Sequence, residues 1–289
     1  MVASIEDLHD DAIGETVATM WDIPADERLS DYRFRTATEH DMHGIEELFE
    51  RRGIAPGWAV WKFLENPDGV ARVCVAENPR NTIVGMLAHM PRKFTTTDGE
   101  SITALQVVDI YVAPELRDRG VFLGLLDFAR SIITGPRFGL PNQYSAIFGL
   151  RVDWEILGPY DRWRFPIAIG NRLAECPLAF LSPLVNGLCR VYKVAFLPLL
   201  PRNLKMKRIT RFNSNFEFDV EAGHGVRSAD YLNWRFINHP KGNFHAYEFF
   251  DNGESVGYCV LTTIAGNANL ADFVTSRRSR GCLRLLVDH

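Results

Sequence analysis

The sequence predicts an α+β fold built from two consecutive modules. The main observation is the order of hydrophobic periods between Tyr32 and Ile133, which alternate as β-α-α-β-β-β-α. Within that order, the stretch 107–133 reads as a strand, a basic loop that ends in glycine, and a helix. Parts of the same pattern recur in the second half of the chain, which predicts a second, smaller module of the same kind.

Composition indicates a globular protein and argues against several classes of function. The 289 residues are 46% hydrophobic and 24% charged, and the net charge of −4 gives no bias toward nucleic acid. The first 31 residues are acidic, which predicts a loosely ordered extension and no signal peptide. Five cysteines and eight histidines are scattered without ligand spacing, so we expect reduced thiols, a cytoplasmic location and no metal site.

The elements of the first half can be assigned in order. A short strand begins at Tyr32, and Thr38 can cap the helix that follows, with Asp41 in the place of the usual Glu of a capping box. The remaining elements before the stretch 107–133 are a second helix around 58–63, strands at 73–76 and 83–90 joined by a turn at 78–81, and a polar turn at 95–101.

The stretch 107–133 carries the strongest functional signal. Its apolar run is interrupted by one acid, Asp109, and ends at Pro114, which cannot donate to a strand ladder. A charged loop then leads to Gly120 and an apolar helical pattern. The free N–H groups and dipole of that helix, together with Arg117 and Arg119, predict a site for a diphosphate, and Gly120 would let the ligand approach the backbone closely.

Four residues of this stretch, Val112, Pro114, Arg117 and Gly120, resemble motif A of the GNAT superfamily of acyl-CoA-dependent N-acyltransferases. The resemblance implies a central mixed, mostly antiparallel sheet flanked by helices, and acetyl-CoA as co-substrate. It also implies that the strand pairs with pantetheine and that the loop holds the pyrophosphate, although Phe122 stands where a small residue is usual. The cofactor-binding residues implied are Ile110, Tyr111, Val112, Arg117, Asp118, Arg119, Gly120, Val121 and Phe122.

A second segment, FGLPNQYS with Trp154 and Gly158 after it, resembles the FGFPN-type motif of one GNAT subgroup. The resemblance implies a strand end followed by a short helix along CoA, and adds Asn142 and Ser145 to the cofactor site. Asn142 could equally cap a helix after the proline. The subgroup's tyrosine, which protonates the departing thiolate, falls at Gly149 here, so Tyr144 is the candidate acid.

The longest apolar run, 179–200, is the next feature to assign. Arg190 and Lys193 lie in its middle, and each would cost about 2.5–3.5 kcal/mol in a bilayer, which argues against a transmembrane helix. We expect a buried connecting helix followed by a basic linker up to residue 211. The alternative is an interfacial helix that makes weak membrane-surface contact through residues 179–211.

An internal repeat predicts the second module. Trp61, Phe63 and Pro67 recur at an offset of 173 as Trp234, Phe236 and Pro240, and Val84-Gly85 recurs at 172 as Val256-Gly257. Asn252-Gly253 predicts a type I′ hairpin, and Asp272 falls where Asp109 would. The basic loop is echoed at 278–281, but the chain ends inside the helix that should follow. We therefore predict a tandem arrangement in which the second, incomplete GNAT-like module cannot hold CoA alone.

The domain prediction is an extension at 1–31, a GNAT domain at 32–168, a helix and linker at 169–211 and a partial module at 212–289. The function this implies is an N-acetyltransferase that moves an acetyl group to an amine of a small molecule or saccharide precursor. Asp109, or Gln106 through water, would accept the proton, and Tyr144 would donate one. The alternative is a non-catalytic acyl-CoA-binding or scaffold protein. The acceptor, the acyl-chain preference and the oligomeric state stay open.

Overall fold

The computed structural model describes residues 31–54, 56–141, 154–155, 157–158, 179–197, 203–216, 223–264, 267–276 and 281–288. The chain divides into two compact units. The first comprises Met1–Leu140 together with Gly223–Gly225, and the second comprises Pro141–Ala222 and Val226–His289. These bounds differ from the predicted ones: the first unit ends at Leu140 instead of residue 168, and it takes in three residues from the second half of the chain. The predicted acidic extension, apart from Asp31, lies outside the described residues.

The first unit contains the predicted order of strands and helices. Its strands are β1 (Arg33–Thr36), β2 (Arg72–Glu77), β3 (Ile83–Thr95), β4 (Ser101–Val112), β5 (Arg137–Gly139) and β7 (His224–Gly225). Its helices are α1 (Met42–Glu50), a first π-helix (Val60–Leu64) and α2 (Val121–Ile132). The sheet order is β1-β2-β3-β4-β5, and every pair is antiparallel except β4–β5. The mixed, mostly antiparallel sheet expected from the resemblance is confirmed.

The sheet lies between two helical layers. On one face, Ile45 and Phe49 of α1 and Phe63 of the π-helix pack against buried residues of β2 and β3. On the other face, Val121 and Leu125 of α2 pack against a second buried cluster. These side chains recur at helical spacing on α1 and α2, which is why the amphipathic pattern located both helices.

Helix α2 sits close to β1 because Gly124 carries no side chain. A Cβ atom at Gly124 would lie 2.2 Å from Cζ of Phe34, well inside van der Waals contact. The Phe34 ring packs against the α2-side cluster in the space this leaves. The Gly124–Phe34 contact therefore fixes how closely the start of α2 approaches the sheet.

The predicted capping box at the start of α1 is present and is part of a charge cluster. The Thr38 amide donates to the Asp41 carboxylate at 2.7 Å, and a short 3₁₀ turn (Glu39–Asp41) leads into α1. Arg35 on β1 contacts both Asp41 and Glu77, at 2.7 and 2.9 Å. Hydrogen bonds from Arg35 hold the pKa of Asp41 well below its usual range. The cluster ties β1, β2 and the start of α1 together.

Strand β7 joins the first sheet from far along the sequence. Gly225 pairs with Phe94 and His224 with Thr95, near the end of β3. Arg92, two residues before Phe94, forms a buried ion pair of 2.7 Å with Asp68. The sequence offered no signal for this two-residue strand.

The second unit contains a four-stranded antiparallel sheet. Its strands are β6 (Leu204–Ile209), β8 (Phe244–Asp251), β9 (Glu254–Ile264) and β10 (Asn267–Thr275), in the order β10-β9-β8-β6. Its helices are α3 (Ser182–Phe196), α4 (Ala229–Leu232), a second π-helix (Asn233–Ile237) and α5 (Cys282–Asp288). The prediction of a linker up to residue 211 is wrong for β6, which pairs with β8.

The repeated residues occupy equivalent places in the two units. Trp61 and Trp234 are each the second residue of a five-residue π-helix. Gly85 pairs with Val112, and Gly257 pairs with Thr275. Asn252 and Gly253 have φ values of 52° and 90°. A type I′ turn requires a positive φ at both central positions, so the two residues fit the predicted turn.

The prediction that the helix in 179–200 is buried is wrong for one side of it. Cys189 is the buried residue of α3, whereas Leu184 and Leu188 are each 62% exposed. An apolar composition can mark a helix but cannot say which of its sides is covered. Within the described ranges, no helix is both long and apolar enough to cross a membrane.

Candidate functional site

The candidate site begins where β4 and β5 part. The two strands run parallel and pair over Leu105–Val107, and β5 ends at Gly139, opposite Val107. Strand β4 continues for five more residues, to Val112, and there it pairs with β3 on its other side. In the part of the chain that the structure describes, no strand pairs with the β5 side of β4 beyond Val107. Along this edge, main-chain groups of β4 have no partner among the described strands.

A β-bulge lies at the same point. Val108 pairs with Ala88 and Tyr111 with Met86, so Asp109 and Ile110 together lie opposite Leu87. Asp109 has a φ of 50°, in the left-handed region that few residues other than glycine, asparagine and aspartate adopt. Bulges bend a strand and redirect its side chains, and they are common next to active sites. The predicted proton acceptor thus lies at the point where the sheet opens.

Asp109 is paired with a cation that the sequence did not identify as functional. Nζ of Lys62 lies 2.5 Å from Oδ2 of Asp109, and the two side chains are 18% and 19% exposed. Lys62 comes from the first π-helix, between the buried residues Trp61 and Phe63. No function was assigned to Lys62 from the sequence. The only local sign that Lys62 is unusual is its place between two buried aromatic residues.

The turn after β4 leads directly into α2. Pro114–Arg119 form a 3₁₀ helix, and Gly120 follows with a φ of 75°. Helix α2 begins at Val121, and its first intrahelical hydrogen bond runs from the Gly124 amide to the Gly120 carbonyl at 3.0 Å. The amides before Gly124 therefore face the open end of the helix, where its dipole is positive. This geometry is suited to an anion such as a phosphate.

Several of the predicted cofactor residues have side chains that pack into the two core clusters of the first unit. Val121 is fully buried, and Phe122 packs against the α2-side core cluster. Ile110 packs against the same cluster, while Tyr111 packs on the opposite face and carries the Arg52 guanidinium 5.0 Å above its ring. Arg119 is exposed, and Arg117 and Asp118 are described by their place in the 3₁₀ turn.

Buried His89 lies near the place where β4 and β5 pair. It sits opposite Val107 and is 2% exposed. Burial, with smaller effects from Arg137 and Arg72, lowers the pKa of His89 from 6.5 to about 4. His89 is therefore neutral at pH 7, and its position in the core indicates a structural role.

Asp272, which the repeat pairs with Asp109, is bonded within the second unit. The hydroxyl of Tyr258, which is fully buried, donates to Oδ2 of Asp272 at 2.6 Å, and Nε of Arg227 lies 3.5 Å from the same oxygen. The Tyr258 ring packs against Phe212 and Phe216. Burial, followed by the Asp272 charge, raises the pKa of Tyr258 well above its usual range.

Several predicted site residues lie outside the described residues: Asn142, Tyr144, Ser145 and Gly149. The structure thus brings together Asp109, Lys62, the open edge of β4 and the start of α2, without placing the predicted acid. Across the described ranges, no group of three or more His, Cys, Asp or Glu side chains is placed to hold a metal ion.

Comparisons with known proteins identify the fold. No protein-family model matches the chain, and no curated protein matches it in sequence. A protein of unknown function from Enterococcus faecalis V583, described as a probable N-acyltransferase, superposes with a TM-score of 0.53 at 11% identity, covering 89% of this chain and 62% of that one. A GCN5-related N-acetyltransferase from Anabaena variabilis ATCC 29413 gives 0.47 at 13% identity, with the same coverage.

A predicted acetyltransferase from Clostridium acetobutylicum, solved with acetyl-CoA, gives a TM-score of 0.37 at 15% identity, covering 46% of this chain and 96% of that one. This chain spans 62% of the Enterococcus protein, so the activity of that whole protein is not transferred with the fold. At 11% identity the likeness shows the fold alone. Together with the mixed sheet, the bulged β4 and the second sheet, it shows a mixed α+β, GNAT-like fold laid out in two units.

Proposed function

We propose that the protein is an acyl-CoA-dependent N-acyltransferase, with acetyl-CoA bound by the first unit and an amine of a small molecule or saccharide precursor as acceptor. The observation that carries this proposal is the parting of β4 from β5 at the bulge. It leaves the main chain of Ile110–Val112 open beside a helix start that is suited to phosphate. An extended amide chain linked to a diphosphate, as in CoA, has chemical groups that match both features.

The roles of the residues in binding follow from their positions. Main-chain groups of Ile110, Tyr111 and Val112 would pair with the pantetheine arm. The amides that follow Gly120 would receive the pyrophosphate, with the exposed Arg119 adding positive charge at the same end. Arg117, Asp118, Asn142 and Ser145 remain part of the proposed site on the sequence resemblance alone.

The protein needs to supply little beyond positioning and proton transfer, because a thioester is already activated toward attack by an amine. The amine nitrogen attacks the carbonyl carbon, a C–N bond forms, the C–S bond breaks, and sulfur leaves as a thiolate. Asp109 would accept the proton lost by nitrogen, directly or through water near Gln106. In the absence of a tyrosine at Gly149, Tyr144 would protonate the thiolate. Because general acid catalysis typically contributes about 10²–10⁴-fold, we expect transfer to be slow if Tyr144 cannot reach the sulfur.

The second candidate function is acyl-CoA binding without catalysis. It is favoured by the Lys62–Asp109 ion pair, since the carboxylate that would have to contact the acceptor is already held by a cation. The two candidates differ in one measurement. Thiol release from acetyl-CoA in the presence of a panel of primary amines would exceed the amine-free rate for an enzyme, but not for a binding protein.

We also propose that the two units are tandem copies of one ancestral module. This is supported by the matching positions of Trp61 and Trp234 in their π-helices and by the matching pairs of Gly85 and Gly257. In the second unit Asp272, the counterpart of Asp109 in the repeat, is already hydrogen-bonded to Tyr258, so we assign acyl-CoA binding and transfer to the first unit only. Cys74, Cys189, Cys259 and Cys282 are free thiols, which agrees with the proposed cytoplasmic location.

Calorimetry with acetyl-CoA and free CoA tests the proposal through Gly120. Gly120→Asp and Gly120→Asn have nearly the same shape, and both side chains tolerate a positive φ, so they differ chiefly in charge. We expect CoA affinity to fall much further for Gly120→Asp, because its carboxylate would repel the diphosphate.

Equal affinities in the two folded variants would show that this turn is not the phosphate site. A wild-type protein that binds no acyl-CoA would refute both candidate functions. As a supporting measure, a ligand at 100 times its dissociation constant should add about 2.7 kcal/mol to the free energy of unfolding.

A further inference from the structure

Lys62 places an amine directly beside the predicted proton acceptor. Its Nζ lies 2.5 Å from Oδ2 of Asp109, and that oxygen is buried from solvent. A general base must lie within hydrogen-bond reach of the proton that it accepts. Lys62 meets this requirement as the structure stands, whereas an external amine would first have to displace Lys62 from Asp109.

The Lys62 side chain is held in this place by the core around it. Lys62 is the third residue of the first π-helix, between the buried Trp61 and Phe63, and its side chain is 18% exposed. Helical turns of this wider type are frequent at functional sites. An amine that is already held in one place loses little freedom when it reacts, which favours attack on a nearby electrophile.

The proposed acyl-CoA site would bring a thioester to the same place. The turn Pro114–Arg119 joins the end of β4 to the start of α2. With the diphosphate at the amides after Gly120, the pantetheine arm would therefore run back along β4 from Val112 to Ile110. The next residue in that direction is Asp109, two residues beyond the last residue that pairs with β5. The acyl end of the ligand would thus arrive at the bulge beside Lys62.

We propose that Lys62 is a self-acetylation site, which takes its acetyl group from acetyl-CoA bound in the same unit. This inference rests on the proposed function. Asp109 takes one proton from the Lys62 ammonium group, and Nζ attacks the carbonyl carbon of the thioester. A C–N bond forms and the C–S bond breaks. Sulfur leaves as a thiolate and takes the second proton that nitrogen loses, while Asp109 releases its own proton to solvent. Because the amide product is stable, each chain reacts once.

The second unit does not repeat this arrangement. The residue that follows Trp234, as Lys62 follows Trp61, is Arg235, whose guanidinium stays protonated and offers no free amine. Its Cζ lies 5.7 Å from the centre of the Phe236 ring. We therefore expect one modified residue in the chain, and we expect it in the first unit.

Mass spectrometry of the full chain incubated with acetyl-CoA tests this proposal. The intact mass should rise by one acetyl group, and peptide mapping should place that group on Lys62. We expect Lys62 to react about 10²-fold faster or more than Lys93, an exposed lysine of the same unit, because only Lys62 has a base beside it. Acetic anhydride, which needs no binding site, should instead favour Lys93. The rate constant should not depend on protein concentration, since the reaction occurs within one chain.

Three variants separate the base, the binding site and the nucleophile. Asp109→Asn keeps the shape of the side chain and tolerates the φ of 50°, so it should slow acetylation of Lys62 about 10²-fold or more while acetyl-CoA still binds in calorimetry. Gly120→Asp should abolish acetylation by preventing binding, and Gly120→Asn should retain more of it. Lys62→Arg should gain no acetyl group and should keep its affinity for CoA.

Several outcomes would overturn the proposal and leave the proposed function standing. They are acetyl-CoA binding without modification of Lys62, reaction of Lys62 no faster than Lys93, an unchanged rate in folded Asp109→Asn, and a rate constant that rises with protein concentration. If Asp109→Asn does not fold, the comparison of Lys62 with Lys93 in the wild type decides. A wild-type protein that binds no acetyl-CoA would refute the proposed function, and self-acetylation with it.

Discussion

Nζ of Lys62 and Oδ2 of Asp109 lie 2.5 Å apart at the bulge where β4 leaves β5. The pair joins the first π-helix, on one face of the sheet, to Asp109, the bulge residue with a left-handed backbone. A protonated amine acceptor would meet Asp109 already neutralised, and would have to compete with Lys62 for the carboxylate. Lys62 is therefore expected to influence both the shape of the opening and the access of the acceptor to Asp109.

The ion pair should be visible in stability. Lys62→Met keeps the length of the side chain but leaves the largely buried Asp109 carboxylate without its cation, so we expect the free energy of unfolding to fall by about 1–3 kcal/mol. Lys62→Arg keeps the positive charge and should retain most of the free energy of unfolding. Adding Asp109→Asn to Lys62→Met removes the uncompensated charge, and asparagine tolerates the positive φ. The double variant should lose less than the two single losses combined, as measured by urea unfolding. Strict additivity would show that the two residues are not coupled.

The Gly124–Phe34 contact predicts opposite effects for one substitution at two helical glycines. Gly124→Ala places a Cβ atom 2.2 Å from the Phe34 ring and should lower stability by about 1–3 kcal/mol or more. Gly187→Ala in α3 has no atom within 4 Å of the new Cβ and should raise stability by about 0.5–1 kcal/mol. Thermal unfolding of both variants checks the pair, and Phe34→Leu should partly rescue Gly124→Ala. Equal effects at both glycines would contradict the packing described.

The lowered pKa of buried His89 predicts that the protein loses stability in mild acid. Its pKa is about 4 in the folded protein and 6.5 ordinarily, so between these values the unfolded chain binds a proton that the folded chain does not. The free energy of unfolding should therefore fall as pH drops from about 6.5 to 4, by up to about 3 kcal/mol. His89→Gln should flatten the profile in this window, whatever its effect at pH 7. His40→Gln, at an exposed position, is the control. A His89→Gln profile as steep as that of the wild type would exclude His89 as the cause.

Features determined by neighbouring residues could be predicted from the sequence. The capping box of Thr38 and Asp41, the Asn252-Gly253 hairpin and the strand–turn–helix at Gly120 each depend on a few consecutive side chains, and all three are present. The first π-helix lies in the segment predicted as a helix around 58–63, and its apolar spacing does not reveal the wider turn.

Features that join distant residues could not be predicted in this way. Lys62 and Asp109 are far apart in sequence, and nothing in the residues around either one indicates that the two side chains form an ion pair. Strand β6 was assigned to a linker because its lysines and arginine hide the alternation of Leu204 and Met206, which face the core. The outward side of α3 could not be recognised as exposed, since the sequence shows only that the helix is apolar.

The position of β7 in the chain has a consequence for biosynthesis. His224 and Gly225 complete the first sheet, yet they are translated long after Leu140, where the rest of the first unit ends. Protein chains are synthesised at about 5–20 residues per second, so the edge of β3 at Phe94 and Thr95 remains unpaired for several seconds before β7 is made. An open strand edge can pair with another chain in that interval. The first sheet to leave the ribosome is therefore exposed to neighbouring nascent chains until most of the protein has been made.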